Sequence, residues 1–273
     1  MAHVISKTAV DTITTTVAST AAATAIVDRR RSLVPQSWEK SVRKIGLTEC
    51  EQAGVSLAHA FAADALSMYL LDGDETDRYS DETKWKLHVH IMTYLVSAHC
   101  YSGLVTTIGP DYDCVALWMP PGMHMDDWWT IFRSGMWRLY YQLGSEGRKR
   151  YYEDVLPLLH ETMDEVMGDR EYYYLAYIGT KPSARGKGYA KKLIMDMAAK
   201  ADTENRAMYL ESSSSENISY YERFGFKYRK EISFKRGPVP VPLYIMVREP
   251  VAVAAKVVEE VLPTLDQIET VKV

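Results

Sequence analysis

One stretch in the C-terminal half of the chain constrains the fold more than any other. An aromatic-rich run, Tyr172–Ile178, is followed by a loop and then by the sequence Arg-Gly-Lys-Gly-Tyr-Ala at 185–190. Apolar residues then recur at spacings of three and four over 190–201, which is typical of one face of an amphipathic helix. We therefore predict a strand, a glycine-rich turn and a helix in direct succession.

A glycine-rich turn at the start of a helix is a place where phosphate groups bind. The first turn of a helix has unpaired N–H groups and the positive end of the helix dipole. Gly186 and Gly188 let a phosphate approach the backbone, and Arg185 and Lys187 add positive charge. This segment alone also allows a structural turn with solvated basic residues.

Two common nucleotide-binding motifs do not fit this turn. A Walker loop needs Ser or Thr directly after Gly-Lys, but Lys187 is followed by Gly188. A dinucleotide fingerprint needs a third glycine three positions after Gly188, and that position is Lys191. Neither kind of nucleotide site is therefore predicted.

The remaining pattern predicts a mixed α/β fold. Predicted strands lie at 42–46, 103–107, 114–118, 172–178, 207–211, 226–234 and 244–248. Predicted helices lie at 49–63, 81–97, 190–201 and 216–224. This order implies a twisted mixed sheet with helices on both faces.

A further helical stretch, from position 126 to about 166, is rich in aromatic residues. The aromatic residues along it are Trp128, Trp129, Phe132, Trp137 and Tyr140. We expect this stripe to pack in the interior, because large aromatic side chains at helical spacing usually do so. The alternative is that its exposed end lines a substrate pocket.

The ends of the chain differ in composition from its centre. Residues 1–38 are rich in small and polar residues and are predicted to be a flexible tail. The folded domain is expected over 39–249, and residues 250–273 are expected to form an appendage with a helix over 251–262.

Composition excludes several partners and places the protein in the cytoplasm by default. The 32 basic and 36 acidic residues give no strongly basic surface, so nucleic acid is not an expected partner. No apolar run reaches the roughly 20 residues that span a bilayer, and no secretory signal is evident, so no membrane is expected. Three widely spaced cysteines fit a reducing compartment, and no His or Cys spacing predicts a metal site.

Two motifs in the same order carry a resemblance to a known family. Arg185, Gly188 and Ala190 form the pattern Arg-x-x-Gly-x-Ala, and Leu-Glu-Ser-Ser at 210–213 leads to a second segment. That segment contains Asn217 and the run Tyr-Glu-Arg-Phe-Gly-Phe at 221–226. Together they resemble the GNAT superfamily of N-acetyltransferases, and most closely its puromycin N-acetyltransferase-like small-molecule enzymes. The resemblance covers about 172–248 and is weaker over 42–125.

The resemblance implies an acyl-CoA N-acyltransferase fold whose central strands splay apart to admit acetyl-CoA as co-substrate. The backbone of Ile178, Gly179 and Thr180 is expected to hold the pantetheine, and Asn217 to lie near the thioester end. The pyrophosphate is expected on the turn formed by Arg185, Gly186, Lys187, Gly188, Tyr189 and Ala190.

The chemistry needs only a few side chains. Tyr221 matches the family's general acid, which protonates the departing thiolate, although a tyrosine here can also simply pack on its turn. Glu211 is a candidate general base, with a structural bond to the 216–221 segment as the alternative. Direct transfer needs no covalent intermediate, so the cysteines are predicted to be packing thiols.

The predicted activity is transfer of acetyl from acetyl-CoA to a primary amine of a small molecule, with Trp118 on the acceptor side. A protein lysine or N-terminus is the alternative acceptor. A non-catalytic acyl-CoA-binding protein is the alternative of a different class, which needs neither Tyr221 nor a base. The oligomeric state is not predicted.

Overall fold

The computed structural model describes residues 33–71, 79–125 and 127–252. The strands in this part are β1 Arg43–Lys44, β2 Leu104–Ile108, β3 Cys114–Met119, β4 Tyr172–Thr180, β5 Ala207–Ser212, β6 Phe226–Phe234 and β7 Val241–Arg248. The α-helices are α1 Cys50–Ala60, α2 Ala65–Leu71, α3 Asp81–Ser102, α4 Trp128–Ser134, α5 Leu139–Gln142, α6 Ser145–Lys149, α7 Leu156–Met167, α8 Tyr189–Thr203 and α9 Ile218–Glu222. Most predicted strands and helices are confirmed to within a few residues.

The strands form one seven-stranded sheet in the order β1-β2-β3-β4-β5-β7-β6. The β4–β5 pair is parallel, and the other neighbouring pairs are antiparallel. A crossover helix, α8, joins the two parallel strands, as a parallel connection requires. The prediction of a mixed α/β sheet is confirmed.

The two parallel strands separate part-way along their length. Their pairing runs from Tyr172 opposite Ala207 to Leu175 opposite Leu210 and then stops. Beyond this point β4 stays paired with β3, and β5 stays paired with β7. On β3 the partner of Leu117 is Tyr177 and that of Trp118 is Leu175, so Ala176 is an extra residue that bends β4. The sheet therefore opens into a gap between its central strands.

Apolar layers cover both faces of the sheet. Strand β3 is buried along its whole length, as expected for a strand covered on both sides. Its alternate residues Val115 and Leu117 pack with helices α1 and α3. Ala116 and Trp118 point to the other face, where helix α8 packs. Helices on both faces were predicted, and the structure confirms them.

The single long helix predicted over 126–166 is wrong. The segment is divided into α4, α5, α6, a π-helical turn at Arg150–Val155 and α7. The first break falls at Gly135, whose φ of 86° is left-handed and ends α4. A second break falls where Leu143 and Gly144 adopt extended backbone conformations.

These breaks also turn the aromatic stripe outward, contrary to the packing expectation. Trp128, Trp129, Phe132, Trp137 and Tyr140 are 65, 56, 60, 41 and 54% exposed, respectively. The aliphatic residues Met136, Leu139 and Leu143 of the same segment pack on the core instead. The periodicity of a continuous helix therefore identified the wrong face.

The described residues include a short element that starts before the predicted boundary at position 39. A short 3-10 turn, Gln36–Glu39, lies against the sheet, because the Trp38 carbonyl accepts a hydrogen bond from the Gly109 amide at 2.7 Å. Residues 1–32 and 253–273, which carry the rest of the predicted tail and appendage, lie outside the described residues.

No single helix of the described part is long and apolar enough to cross a bilayer. The pair Leu47–Ala60 and Ala65–Leu71 meets the length and composition requirements only together, across a bend of 103°.

Helix α2 was not predicted from the sequence. Its N-cap signal is Asp64, whose carboxylate accepts a hydrogen bond from the Ser67 amide at 2.9 Å.

Candidate active site

The predicted phosphate turn lies between the end of β4 and the start of α8. Gly186 and Gly188 have φ values of 80° and 75°, and Gly188 is the N-cap of α8. A side chain at either position would be strained in this left-handed conformation. A Cβ at either position meets no atom within 4 Å, so the space beside the turn is open. The glycines therefore set the backbone shape and leave room for a ligand.

The charge of this turn is not neutralised by neighbouring acids. Arg185 is exposed, and its Nη2 lies 3.5 Å from the Ala60 carbonyl. The Lys187 Nζ lies 5.7 Å from the centre of the Tyr189 ring. Neither has a carboxylate partner among the residues that the structure describes. Tyr189 is buried, and Ala190 packs on the same layer, so these two residues anchor the helix.

The second half of β4 presents a free edge to the gap. Ile178, Gly179 and Thr180 pair with β3 on one side, and no strand of the described sheet pairs with them on the other. Backbone groups on such an edge need hydrogen-bond partners, which an extended ligand lying in the gap can supply. Gly179 is buried beside Ala60, at the end of α1.

Tyr221 lies on helix α9, on the α8 side of the sheet. Its ring packs edge-on against Phe226 at 5.9 Å and Tyr220 at 5.7 Å. Burial raises the pKa of the Tyr221 phenol, so the group stays protonated and can donate a proton. Asn217 is exposed at the start of α9, and its side chain makes no capping hydrogen bond.

Glu211 lies on β5, paired with Ile245 of β7. Burial raises the pKa of its carboxyl to about 7, and the hydroxyls of Tyr174 and Tyr209 partly offset this effect. Within the described residues, the Glu211 Oε1 atom and the Tyr209 hydroxyl are buried without a hydrogen-bond partner. The groups around Glu211 therefore come from β4 and β5, rather than from the 216–221 segment.

The surroundings of Glu211 are aromatic and acidic. Burial raises the pKa of the Tyr177 phenol, and the negative charges of Asp64 and Glu211 add to this effect. The Ser213 hydroxyl, just beyond β5, donates a hydrogen bond to Asp64. Phe61 packs edge-on against Tyr177 at 5.4 Å. Such a surface favours a positively charged ligand group.

Glu211 and Tyr221 lie on opposite faces of the sheet. Leu210 packs in the α8 layer together with Tyr221. Glu211, the next residue along β5, points to the opposite face because side chains alternate along a strand. The two predicted catalytic side chains are thus on different faces of the sheet rather than adjacent to each other.

Trp118, predicted to lie on the acceptor side, belongs to the core of this structure. Its side chain is fully buried, and its indole Nε1 donates to the Thr106 Oγ1 at 3.0 Å. Its role in acceptor binding stays a prediction. The sequence could not distinguish the two faces of β3, because all six of its residues are apolar or aromatic apart from a cysteine.

The described residues contain no group of three or more His, Cys, Asp or Glu side chains placed to hold a metal ion. Cys114 is buried on β3 and accepts a hydrogen bond from the Thr180 hydroxyl at 3.1 Å. Burial raises the pKa of the Cys114 thiol to about 12, which disfavours the nucleophilic thiolate.

Comparisons with known proteins agree with this architecture. The family model described as an acetyltransferase (GNAT) domain matches residues 159–228, which hold β4, the phosphate turn, α8, β5 and α9. The solved structure of a histone acetyltransferase and related acetyltransferase from Corynebacterium glutamicum has a TM-score of 0.52 at 19% identity, covering 82% of this chain and 98% of its own. A mosquito arylalkylamine N-acetyltransferase has a TM-score of 0.51 at 14% identity, covering 77% and 99%. The fold is that of an acetyltransferase.

A closer relative extends the comparison to the sequence. An uncharacterized N-acetyltransferase of Schizosaccharomyces pombe is 39% identical over 212 residues, which cover 77% of this chain and 83% of the relative. The protein belongs to the GNAT family of N-acetyltransferases. The predicted family is confirmed, whereas the closer resemblance to puromycin N-acetyltransferase-like enzymes stays a prediction.

Proposed function

We propose that the protein transfers an acetyl group from acetyl-CoA to a primary amine of a small molecule by direct attack of the amine. One observation carries the proposal: the sheet opens between β4 and β5, with an open glycine turn beyond β4 and the buried carboxylate of Glu211 on β5. The open turn fits the anionic end of the co-substrate, and the carboxylate fits the cationic acceptor.

The co-substrate is held by residues of β4 and the turn. The free edge of Ile178, Gly179 and Thr180 supplies backbone hydrogen bonds to the extended pantetheine. The start of α8, together with Arg185 and Lys187, supplies N–H groups and positive charge to the pyrophosphate. When bound, acetyl-CoA supplies an activated acetyl thioester. Asn217, exposed at the start of α9, contacts the co-substrate near that end.

The acid and base roles follow from the protonation states of the two side chains. Glu211 ionises near pH 7 and then accepts a proton from the acceptor ammonium, either directly or through a water molecule. Tyr221 is held in its protonated form and donates a proton to the departing sulfur. The two groups act on opposite sides of the gap, which keeps the acid from neutralising the base.

The acceptor is proposed to be a small amine that is cationic in solution. Asp64 and Glu211 supply negative charge beside the aromatic surface of Phe61 and Tyr177, which is complementary to an alkylammonium or arylalkylammonium group. The name of the mosquito relative refers to arylalkylamines, which are amines of this kind. Puromycin-like aminonucleosides are a further candidate class, and a protein lysine or N-terminus is the alternative. We propose a cytoplasmic location for the enzyme, as its composition predicts.

Calorimetric titration with acetyl-CoA tests the cofactor site. Wild-type protein is expected to bind at micromolar concentration, and the double variant Arg185→Ala/Gly188→Asp is expected to lose binding. Lys235→Ala, which removes an exposed charge away from the turn, serves as the matched control and should bind normally. If the wild type does not bind acetyl-CoA, or if the double variant binds it as well as the wild type, this turn is not the pyrophosphate site.

A thiol-release assay over a panel of amines tests catalysis. Tyr221→Phe should keep acetyl-CoA affinity and lose rate by a factor of about 10²–10⁴, the usual range for a general acid. A non-catalytic acyl-CoA-binding protein predicts binding without thiol release for every amine and peptide. Release with lysine peptides alone would favour the alternative of a protein acceptor.

A further inference from the structure

Two cysteines that the proposed chemistry does not use lie in contact. Cys50 is the first residue of α1, and Cys100 lies in the last turn of α3. Their Sγ atoms are 3.5 Å apart, although 50 positions separate the residues in the sequence. Both are free thiols in this structure. The contact therefore joins two helices of the same layer.

The backbones of the two helices are also close at this crossing. A Cβ on Gly54, one turn along α1 from Cys50, would lie 2.7 Å from the Thr93 Cα of α3. Such a close approach requires glycine. The two helices are therefore in backbone contact at Gly54, in addition to the side-chain contact between the cysteines. A disulfide requires an Sγ–Sγ distance of about 2.05 Å and Cα atoms about 4.4–6.8 Å apart. The two Sγ atoms, now 3.5 Å apart, must approach each other by about 1.5 Å for the bond to form.

The two thiols also have complementary reactivity. The S–H of Cys50 donates a hydrogen bond to the Cys100 sulfur, and the hydrogen bond between the two thiols lowers the pKa of the Cys50 thiol. Cys50 is buried, whereas Cys100 is partly exposed, so a small oxidant reaches the pair from the Cys100 side. Cys114 is different, because it is fully buried on β3 and bonded by Thr180. Cys114 therefore serves as an internal control, a thiol that should stay unoxidised when the other two cysteines react.

We propose that Cys50 and Cys100 form a reversible thiol–disulfide site that links α1 to α3 under oxidising conditions. With hydrogen peroxide as oxidant, the Cys50 thiol loses its proton and its thiolate attacks one oxygen. The O–O bond breaks, and the departing hydroxide takes up that proton, which gives a sulfenic acid and one water molecule. The Cys100 sulfur then displaces the hydroxyl group from the Cys50 sulfur, which forms the S–S bond and releases a second water molecule. Overall, two thiols are oxidised and one peroxide is reduced to two water molecules.

The link acts on a helix that supports the co-substrate site. The last residue of α1 is Ala60, whose carbonyl faces Arg185 of the phosphate turn, and Gly179 of β4 is buried beside it. A covalent bond at the first residue of α1 restricts the unfolded chain by closing a loop of about 50 residues. Oxidation should therefore stabilise the folded chain without altering the residues of the turn.

Mass spectrometry of the oxidised full-length protein tests the site. After mild peroxide treatment and alkylation under denaturing conditions, the wild type should contain one Cys50–Cys100 crosslinked peptide and an alkylated Cys114. The melting temperature should rise by at least ~4 °C and return after treatment with dithiothreitol. Cys50→Ser and Cys100→Ser should show neither the crosslink nor the rise.

The wild-type measurement is decisive even if a variant folds poorly. Three alkylated cysteines after peroxide treatment, a crosslink that contains Cys114, or a crosslink only between two chains would each overturn the proposal. A crosslink without a reversible rise in melting temperature would overturn the inferred stabilisation of the α1–α3 layer. These readouts do not depend on acetyl transfer, so they are independent of the proposed enzyme activity.

Discussion

Replacing Glu211 with glutamine separates the role of this residue in catalysis from its effect on stability. Glutamine keeps the size of the side chain but cannot ionise. If Glu211 is the general base, Glu211→Gln should lower kcat/KM by a factor of about 10²–10⁴. The wild-type rate should rise with pH through about 7, because the Glu211 carboxyl ionises there. The variant has no carboxyl at this position and should lose the pH dependence.

The same substitution should stabilise the protein above neutral pH. The Glu211 pKa is about 7 in the folded chain, against an ordinary value of 4.5, so the fold favours the protonated form. Below pH 4.5 the group is neutral in both states and contributes nothing. As pH rises from 4.5 to 7, Glu211 ionises in the unfolded chain before it ionises in the folded chain. The free energy of unfolding therefore falls by up to about 3 kcal/mol. Between pH 5 and pH 8 the loss is about 2.5 kcal/mol.

Urea unfolding at pH 5 and pH 8 measures this effect. The free energy of unfolding of Glu211→Gln relative to wild type should increase by about 2.5 kcal/mol between the two pH values. Glu231→Gln, which changes an exposed glutamate on β6, is the matched control and should show no such increase. An equal effect of pH on wild type and Glu211→Gln would refute the reasoning that the burial of this carboxylate is only partly compensated.

Four further substitutions, one of them a control, test the rest of the site and its support. Gly188→Ala should weaken acetyl-CoA binding in calorimetry and cost about 1–2 kcal/mol of stability, because the φ of Gly188 is 75°. Gly122→Ala, at a φ of 71° and with equally open surroundings, should cost similar stability without changing affinity. Asp202→Asn should cost about 3 kcal/mol at pH 7 in urea unfolding, because it removes the partner of the buried Arg248 guanidinium. Since Arg248 lowers the pKa of Asp202, this cost should shrink as pH falls below the ordinary value of 3.8. Trp118→Phe should lower stability by about 1–3 kcal/mol and leave the KM for amines unchanged, since the indole is buried and bonded in the core.

The phosphate turn was predictable from the sequence because its structure is locally determined. Glycines at 186 and 188, followed by apolar residues at helical spacing, specify a left-handed turn and an amphipathic helix without reference to distant residues. The strands were likewise predictable, because β-branched and aromatic runs bounded by turn residues carry their own signal. The order of these elements then determined the mixed sheet.

Features that depend on distant pairings were not predictable in the same way. The role of Trp118 stays a prediction. A strand buried on both faces shows no alternation, so the sequence cannot tell which side chain meets the gap. The prediction of one long aromatic helix is wrong because the backbone of Gly135 ends α4, and the spacing of the aromatic residues does not reveal such a break. The contact between Cys50 and Cys100 has no local signal at all.

In the proposed mechanism, the splayed strands would separate the acid from the base. If β4 and β5 stayed paired to their ends, Glu211 would lie on a continuous sheet, and its face would be sealed from that of Tyr221. Because pairing stops at Leu175 and Leu210, the next residue of β5, Glu211, borders an opening that reaches both faces. A buried carboxylate without a hydrogen-bond partner on one oxygen is costly to the fold at neutral pH, and an apolar side chain would pack there more stably. A cationic amine bound in the gap would remove that cost by pairing with the carboxylate, so the same arrangement that destabilises the empty site provides the attraction for the acceptor.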